Sequence, residues 1–160
     1  EITTRLVGSE MCIRDSFPAV MTEEESRAMW NRLRAELDEK GYGVYAVELK
    51  SSGSLIGLLG FHWADFKADF TPCVEIGWRL VPEAWGHGYA TEGARACLEH
   101  GFARLGLDRV YSFTVCVNLP SQAVMQRAGM RKTAEFNHPK VAPDSVLYPH
   151  VLYVREASHA

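Results

Sequence analysis

The sequence predicts a single layered α/β domain, and three observations carry that prediction. Segments with the two-residue period of strands come in long runs, broken by a few segments with the helical period, instead of alternating strictly one for one. A length of 160 residues suits one domain, and 47% apolar residues suffice to fill its core. No repeat, low-complexity stretch or linker divides the chain.

Composition removes several function classes. With 17 basic against 20 acidic side chains and a formal charge of -3, the chain lacks the cationic excess that drives nucleic-acid binding. No apolar run approaches the ~18 residues of a membrane span. Cys12, Cys73, Cys97 and Cys116 are scattered, so neither a disulfide framework nor a zinc ribbon is signalled, and a reducing cytoplasmic setting is expected. The six histidines show no His-Glu-x-x-His or clustered spacing, so no metal site is expected. His62, Trp63 and Asp65, and likewise His138 and His150, are candidates to line an acceptor pocket. Isolated histidines are nonetheless most often half-exposed polar residues.

The first sixteen residues stand apart. Leu6–Ser16 reads LVGSEMCIRDS, with no strand or helix period, no cap and no signal-peptide cleavage site. In one frame it matches the translation of a transposase adaptor used in sequencing libraries. Residues 1–16 are therefore expected to be non-native, a genuine N-terminal strand being the alternative, and are excluded from the fold reading, leaving a domain over 17–156 and a tail over 157–160. The corollary is a domain lacking its first strand and helix.

The elements follow in order. Thr22-Glu23-Glu24-Glu25 is a capping box, Trp30, Leu33 and Leu37 continue a helical stripe, and Gly41 stops it. Val44–Leu49 and Leu55–Phe61 flank Ser51-Ser52-Gly53-Ser54 as a β-hairpin, followed by a loop over Trp63–Thr71. Val74–Leu80 alternates, with Val74, Ile76, Trp78 and Leu80 on one face and Glu75, Gly77 and Arg79 on the other. Ala90, Ala94, Cys97, Leu98 and Leu105 form a second helical stripe ending at Gly106. A strand over Val110–Val117, a short helix over Ser121–Ala128 with Gly129 just past it, and strands over Met130–Phe136 and Val146–Val154 complete the order.

The chemistry-bearing stretch is Trp85-Gly86-His87-Gly88-Tyr89-Ala90-Thr91-Glu92, between a strand and a long helix. Two glycines permit a sharp turn, and the unbonded N–H groups of the next helix, with its dipole, suit a pyrophosphate. A P-loop would need Lys-Ser/Thr after the last glycine, which is absent. A dinucleotide fingerprint would need glycine where Thr91 stands, and its acidic partner, Asp108, precedes a strand instead of ending one. The third reading is a loop for the coenzyme A pyrophosphate.

Val74–Glu99, followed by Asn118-Leu119-Pro120-Ser121 and Val124-Met125-Gln126-Arg127-Ala128-Gly129-Met130, resembles the GNAT N-acetyltransferase superfamily. It looks closest to the branch with the ribosomal-protein N-terminal-alanine acetyltransferases. The resemblance covers about Phe17 to Glu156. It implies a mixed, mostly antiparallel central sheet flanked by helices, and direct transfer of an acetyl group from acetyl-CoA to an amine in a ternary complex. By position it implies pairing of the pantetheine arm with Leu80 and Val81, and a pyrophosphate held by Gly86 and the amides of His87, Gly88, Tyr89, Ala90 and Thr91. Trp85 departs from the superfamily's usual Gln or Arg at the head of that loop.

Glu75 stands where the superfamily often has a general base; a solvated or salt-bridged strand carboxylate is the alternative. An N–H near Leu80 suits the oxyanion. Where many relatives carry a proton-donating tyrosine this chain has Met125, so Ser121 is the candidate donor, with first-turn capping its alternative. Asn118 is expected to orient the cofactor or Ser121, or to cap the helix. The acceptor is expected to be a small-molecule amine or a protein N-terminal amine; the oligomeric state is not legible. Two other classes stay open: a non-catalytic CoA-binding or regulatory module, and a nucleotide-binding protein using the same turn.

Overall fold

The computed structural model describes residues 22–158. The expectations for residues 1–16 and for a missing strand and helix lie outside the described residues. The chain runs α1 (Glu23–Lys40), β1 (Val44–Glu48), β2 (Leu55–Ala64), β3 (Cys73–Leu80), a 3-10 turn (Pro82–Ala84), α2 (Tyr89–Ala103), β4 (Arg109–Val115), α3 (Leu119–Arg127), β5 (Arg131–Asn137) and β6 (Pro149–Glu156). One six-stranded sheet takes the order β1-β2-β3-β4-β6-β5. Every neighbouring pair is antiparallel except β3–β4. The expected mixed, mostly antiparallel sheet is the one observed.

Local chemistry sets several ends where the sequence puts them. The Thr22 N–H donates to Glu25 Oε2 (2.7 Å), the Glu25 N–H donates to Thr22 Oγ1 (3.2 Å), and left-handed Gly41 (φ 73°) closes α1. Tertiary partners move others. β2 continues through Trp63 and Ala64, expected as loop, because they pair with Val74 and Cys73 of β3. α2 stops at Ala103, short of Gly106, where the Leu105 N–H turns back to the His100 carbonyl and the Leu107 N–H to that of Gly101. α3 begins two residues early, because Asn118 caps it and Pro120 sits in the first turn, where no N–H is needed. β6 starts at Pro149: Val146, expected in the strand, is 81% exposed in a turn whose Tyr148 N–H bonds the Ser145 carbonyl.

The core lies between the sheet and α2 and α3. Leu59, Phe61, Val74, Ile76, Leu98, Val110, Met125 and Tyr153 are buried together there. The close approach of α2 rests on small residues, since a Cβ on Gly93 would meet Leu59 at 2.7 Å and one on Gly101 would meet Phe61 at 2.8 Å. On the opposite face α1 reaches β2 through Glu36, whose carboxylate accepts from the Trp63 N–H.

Candidate active site

The sheet opens in its middle. β3 and β4 are joined at one register pair, Glu75 with Tyr111, and by the Ser112 hydroxyl donating to the Ile76 carbonyl at 2.8 Å. Beyond that point the two strands diverge. The Val81 N–H donates to the Ile56 carbonyl of β2 (2.9 Å), and antiparallel pairing alternates, so Leu80 turns its N–H and C=O into the opening. The Leu80 carbonyl is met there by the Trp85 indole N–H at 2.9 Å. Thus Trp85, the departure from the family pattern, braces the end of β3. The two residues expected to pair with a pantetheine arm differ: Leu80 faces the opening, whereas Val81 donates to Ile56 and accepts from the Ala84 N–H at 2.9 Å.

At the narrow end of the opening lies a cleft of ≈ 880 Å³ lined by Glu75, Ser121 and Asn118. Glu75 and the α3 turn that carries Asn118 and Ser121, distant in sequence, therefore line one cleft. Glu75 lies on the face that carries His62, its direct register partner on β2. It is half-buried, and that burial, with the nearby charge of Glu36 adding to it, pushes its carboxyl up to about 8. Beside it Gly77 leaves open space, since a Cβ there would meet nothing within 4 Å.

Asn118 is the α3 cap: its side-chain oxygen accepts from the Ser121 N–H (3.2 Å) and its Nδ2 donates to Thr114 Oγ1 (3.1 Å). This settles the capping alternative in favour of Asn118, not Ser121, and fixes the first turn that carries the Ser121 side chain. Met125 lines the same cleft at 1% exposure, its thioether offering no proton.

The Gly-rich turn has the conformation its sequence demands. Gly86 and Gly88 take φ of 76° and 84°, and Gly88 caps α2 without a side-chain hydrogen bond. The first internal bond of α2 runs from the Glu92 N–H to the Gly88 carbonyl (3.0 Å), so the N–H groups of Gly88, Tyr89, Ala90 and Thr91 precede the helical ladder. His87 is held by its Nδ1 against the Trp85 carbonyl (2.7 Å) and stacks on Tyr89. His87, Gly88 and Thr91 border a separate depression with Arg95 and Arg127. The site thus has an acid-bearing cleft, an open strand edge and an anion-binding turn. Helix N-terminal N–H groups of this kind suit an anion.

The sequence did not point to Glu36. It projects from α1 into the cleft, and its Oε2 lies 2.7 Å from His62 Nδ1. The signal available was its place on the face of α1 that carries Leu33; the partner, 26 residues away, was not readable from spacing. His62, Trp63, Asp65 and His138 line the cleft. His150 instead is 3% exposed beside Phe136 and His138. Among the described residues, no group of three or more His, Cys, Asp or Glu side chains is arranged to hold a metal ion, and no helix is long and apolar enough to cross a membrane.

The fold is an α/β domain whose mixed sheet is split between β3 and β4. Residues 2–131 match the acetyltransferase (GNAT) domain family, and the chain belongs to it. It is 35% identical over 117 residues to a Bacillus subtilis (strain 168) protein named "uncharacterized N-acetyltransferase YnaD", covering 73% of this chain and 64% of that one. The chain thus spans just under two thirds of the length of that curated relative. Among solved structures, a GNAT-family acetyltransferase from Bacillus anthracis superposes with a TM-score of 0.75 at 27% identity, over 96% of this chain and 86% of that one. The ribosomal L7/L12 α-N-protein acetyltransferase RimL, in complex with coenzyme A, shares the fold at a TM-score of 0.78 and 19% identity, over 98% and 87% of the two chains.

Proposed function

We propose that this protein moves an acetyl group from acetyl-CoA to a primary amine by direct attack in a ternary complex. The observation that carries the reading is the convergence of Glu75 and Ser121 on one cleft at the apex of the β3–β4 opening. Bound coenzyme A in the RimL structure supports the choice of cofactor. Acetyl-CoA would supply an activated acyl thioester, with its diphosphate on the amides of His87, Gly88, Tyr89, Ala90 and Thr91 and its arm along Leu80.

Glu75 serves as the base. A carboxyl at about 8 is matched to an α-amino group of about 7.7–8.0, so proton transfer between them is nearly balanced, whereas a lysine-type amine near 10.4 is harder to deprotonate. The Leu80 N–H faces the opening, where it can donate to a developing oxyanion. Ser121 donates a hydrogen bond to the departing thiolate, which takes its own proton from solvent, and Asn118 positions Ser121 through the helix cap. The acceptor is a small-molecule amine or a protein N-terminus, the latter being the acceptor kind in RimL's name.

Met125 favours a second reading, a CoA-binding module without turnover, because it leaves Ser121 as the proton donor nearest the cleft in α3. Thiol release from acetyl-CoA with a panel of amines decides. Release that depends on amine is expected, and calorimetric CoA binding with no release across the panel would establish the module instead. Affinity for a nucleotide but not for CoA would overturn both.

A further inference from the structure

We infer that Glu36 and His62 form a proton exit for Glu75, a second role built into the cleft that rests on the acetyl-transfer reading above. The need for it is chemical. Each turnover leaves the acceptor's proton on a half-buried carboxyl that must be recharged before the next amine arrives. His62 stands directly opposite Glu75 in the β2–β3 register, where facing side chains have Cβ atoms roughly 4.5–5.5 Å apart. Its side chain is 50% exposed, against 14% for Glu36, so the imidazole bridges the cleft to water while the acid stays within.

Glu36 uses both oxygens as an anchor. One lies 2.7 Å from His62 Nδ1 and the other accepts from the Trp63 N–H, tying α1 to consecutive residues of β2. A carboxylate fixed on Nδ1 selects the tautomer with its proton there and leaves Nε2 to accept. Arg32, Asp65, Arg79, His138 and Lys140 complete the set of titratable side chains lining the cleft.

The proton balance closes. The acceptor's N–H bond breaks as the Glu75 carboxylate takes the proton. Glu75 passes it, directly or through one water, to Nε2 of neutral His62, making an imidazolium paired with Glu36. Bulk water then removes it, restoring both groups. No electrons are exchanged. His62 is a relay and Glu36 a positioning residue, since neither needs to touch the substrate.

The test uses the full chain with acetyl-CoA and alaninamide, followed by thiol release in dilute, non-imidazole buffer. His62→Ala and His62→Gln are expected to lower kcat about tenfold or more with KM for acetyl-CoA unchanged, within the range of a lost proton-transfer step. Added imidazole should restore the rate of His62→Ala in proportion to its concentration. Independently of turnover, 15N ring shifts should report the Nδ1–H tautomer of His62 in the wild type and its loss in Glu36→Gln. Wild-type silence with alaninamide and a wider amine panel sinks the function reading and the relay with it. Wild-type turnover with full-rate His62 variants, with loss that imidazole does not restore, or with an unchanged tautomer in Glu36→Gln overturns the relay alone.

Discussion

Glu75 carries two opposed demands at the scale of one side chain. Folding holds its carboxyl at about 8 when an unfolded chain would hold it near 4.5, so the folded protein keeps a proton the unfolded one has lost. Stability conferred by the neutral form is complete below the unfolded value and declines as pH rises toward 8. Glu75→Gln should therefore melt higher than the wild type, by a margin that grows from pH 5 to pH 8 and then levels, read by thermal denaturation. The same variant should lose roughly a hundredfold in rate and the rise in activity through about pH 8. A melting difference independent of pH would contradict the burial argument. His138 works the other way: burial and its neighbours His150 and Lys140 hold it at about 4, so stability present above the ordinary value near 6.5 drains away as pH falls toward 4. His138→Phe, within the ring cluster of Phe66, Phe113 and Phe136, should blunt that acid-side loss of melting temperature. Glu75 could be singled out from sequence because strand alternation put it opposite the apolar stripe and the GNAT resemblance implies a base at that place. Glu36 could not, because its role comes from an acid on one helix meeting an imidazole on a distant strand.

Elements were legible where their ends are chemically marked. The capping box and Gly41 fixed α1, and paired glycines fixed the start of α2. The ends of β2 and β6 and the start of α3 depended on pairing partners or on a cap whose side chain doubles as a tertiary bond. Glycines separate the two kinds of constraint. Gly88 faces open space, so Gly88→Ala meets only the cost of a left-handed backbone, about 1–2 kcal/mol. It should fold, and its loss should appear mainly as weaker CoA binding by calorimetry, as the turn relaxes away from φ 84°. Gly57 is the reverse. A Cβ there would lie 2.5 Å from Leu80 Cδ2 and closer still to the Arg79 carbonyl oxygen. Gly57→Ala should force β3 outward and cost about 3 kcal/mol or more, seen as a lower urea midpoint. Equal destabilisation by the two substitutions would refute this division.

For the whole molecule, the decisive feature is a sheet in two halves, β1-β2-β3 and β4-β6-β5, joined by one parallel register pair and the Ser112–Ile76 bond. A motif in the sequence can indicate a cofactor turn, but not that the strands beside it part company, since parting is the absence of a pairing and leaves no local pattern. On the proposed function, an extended ligand arm in the opening would act as a short extra strand against β3, so binding should tighten the joint between the halves. At a hundredfold excess over Kd, linkage gives about 2.7 kcal/mol, which for a domain of this size raises Tm by roughly 5–10 °C. Hydrogen exchange can separate this from general stabilisation. The Leu80 N–H, turned into the opening, should slow markedly with CoA. The Val81 N–H, already on the Ile56 carbonyl, should change only as much as global stability does. Amides of the far edge strand β5, five places from β1 in the sheet order, should follow Val81 and not Leu80. Equal protection at all three would mean that CoA binds without entering the opening, and the catalytic geometry built on Glu75 would lose its foundation.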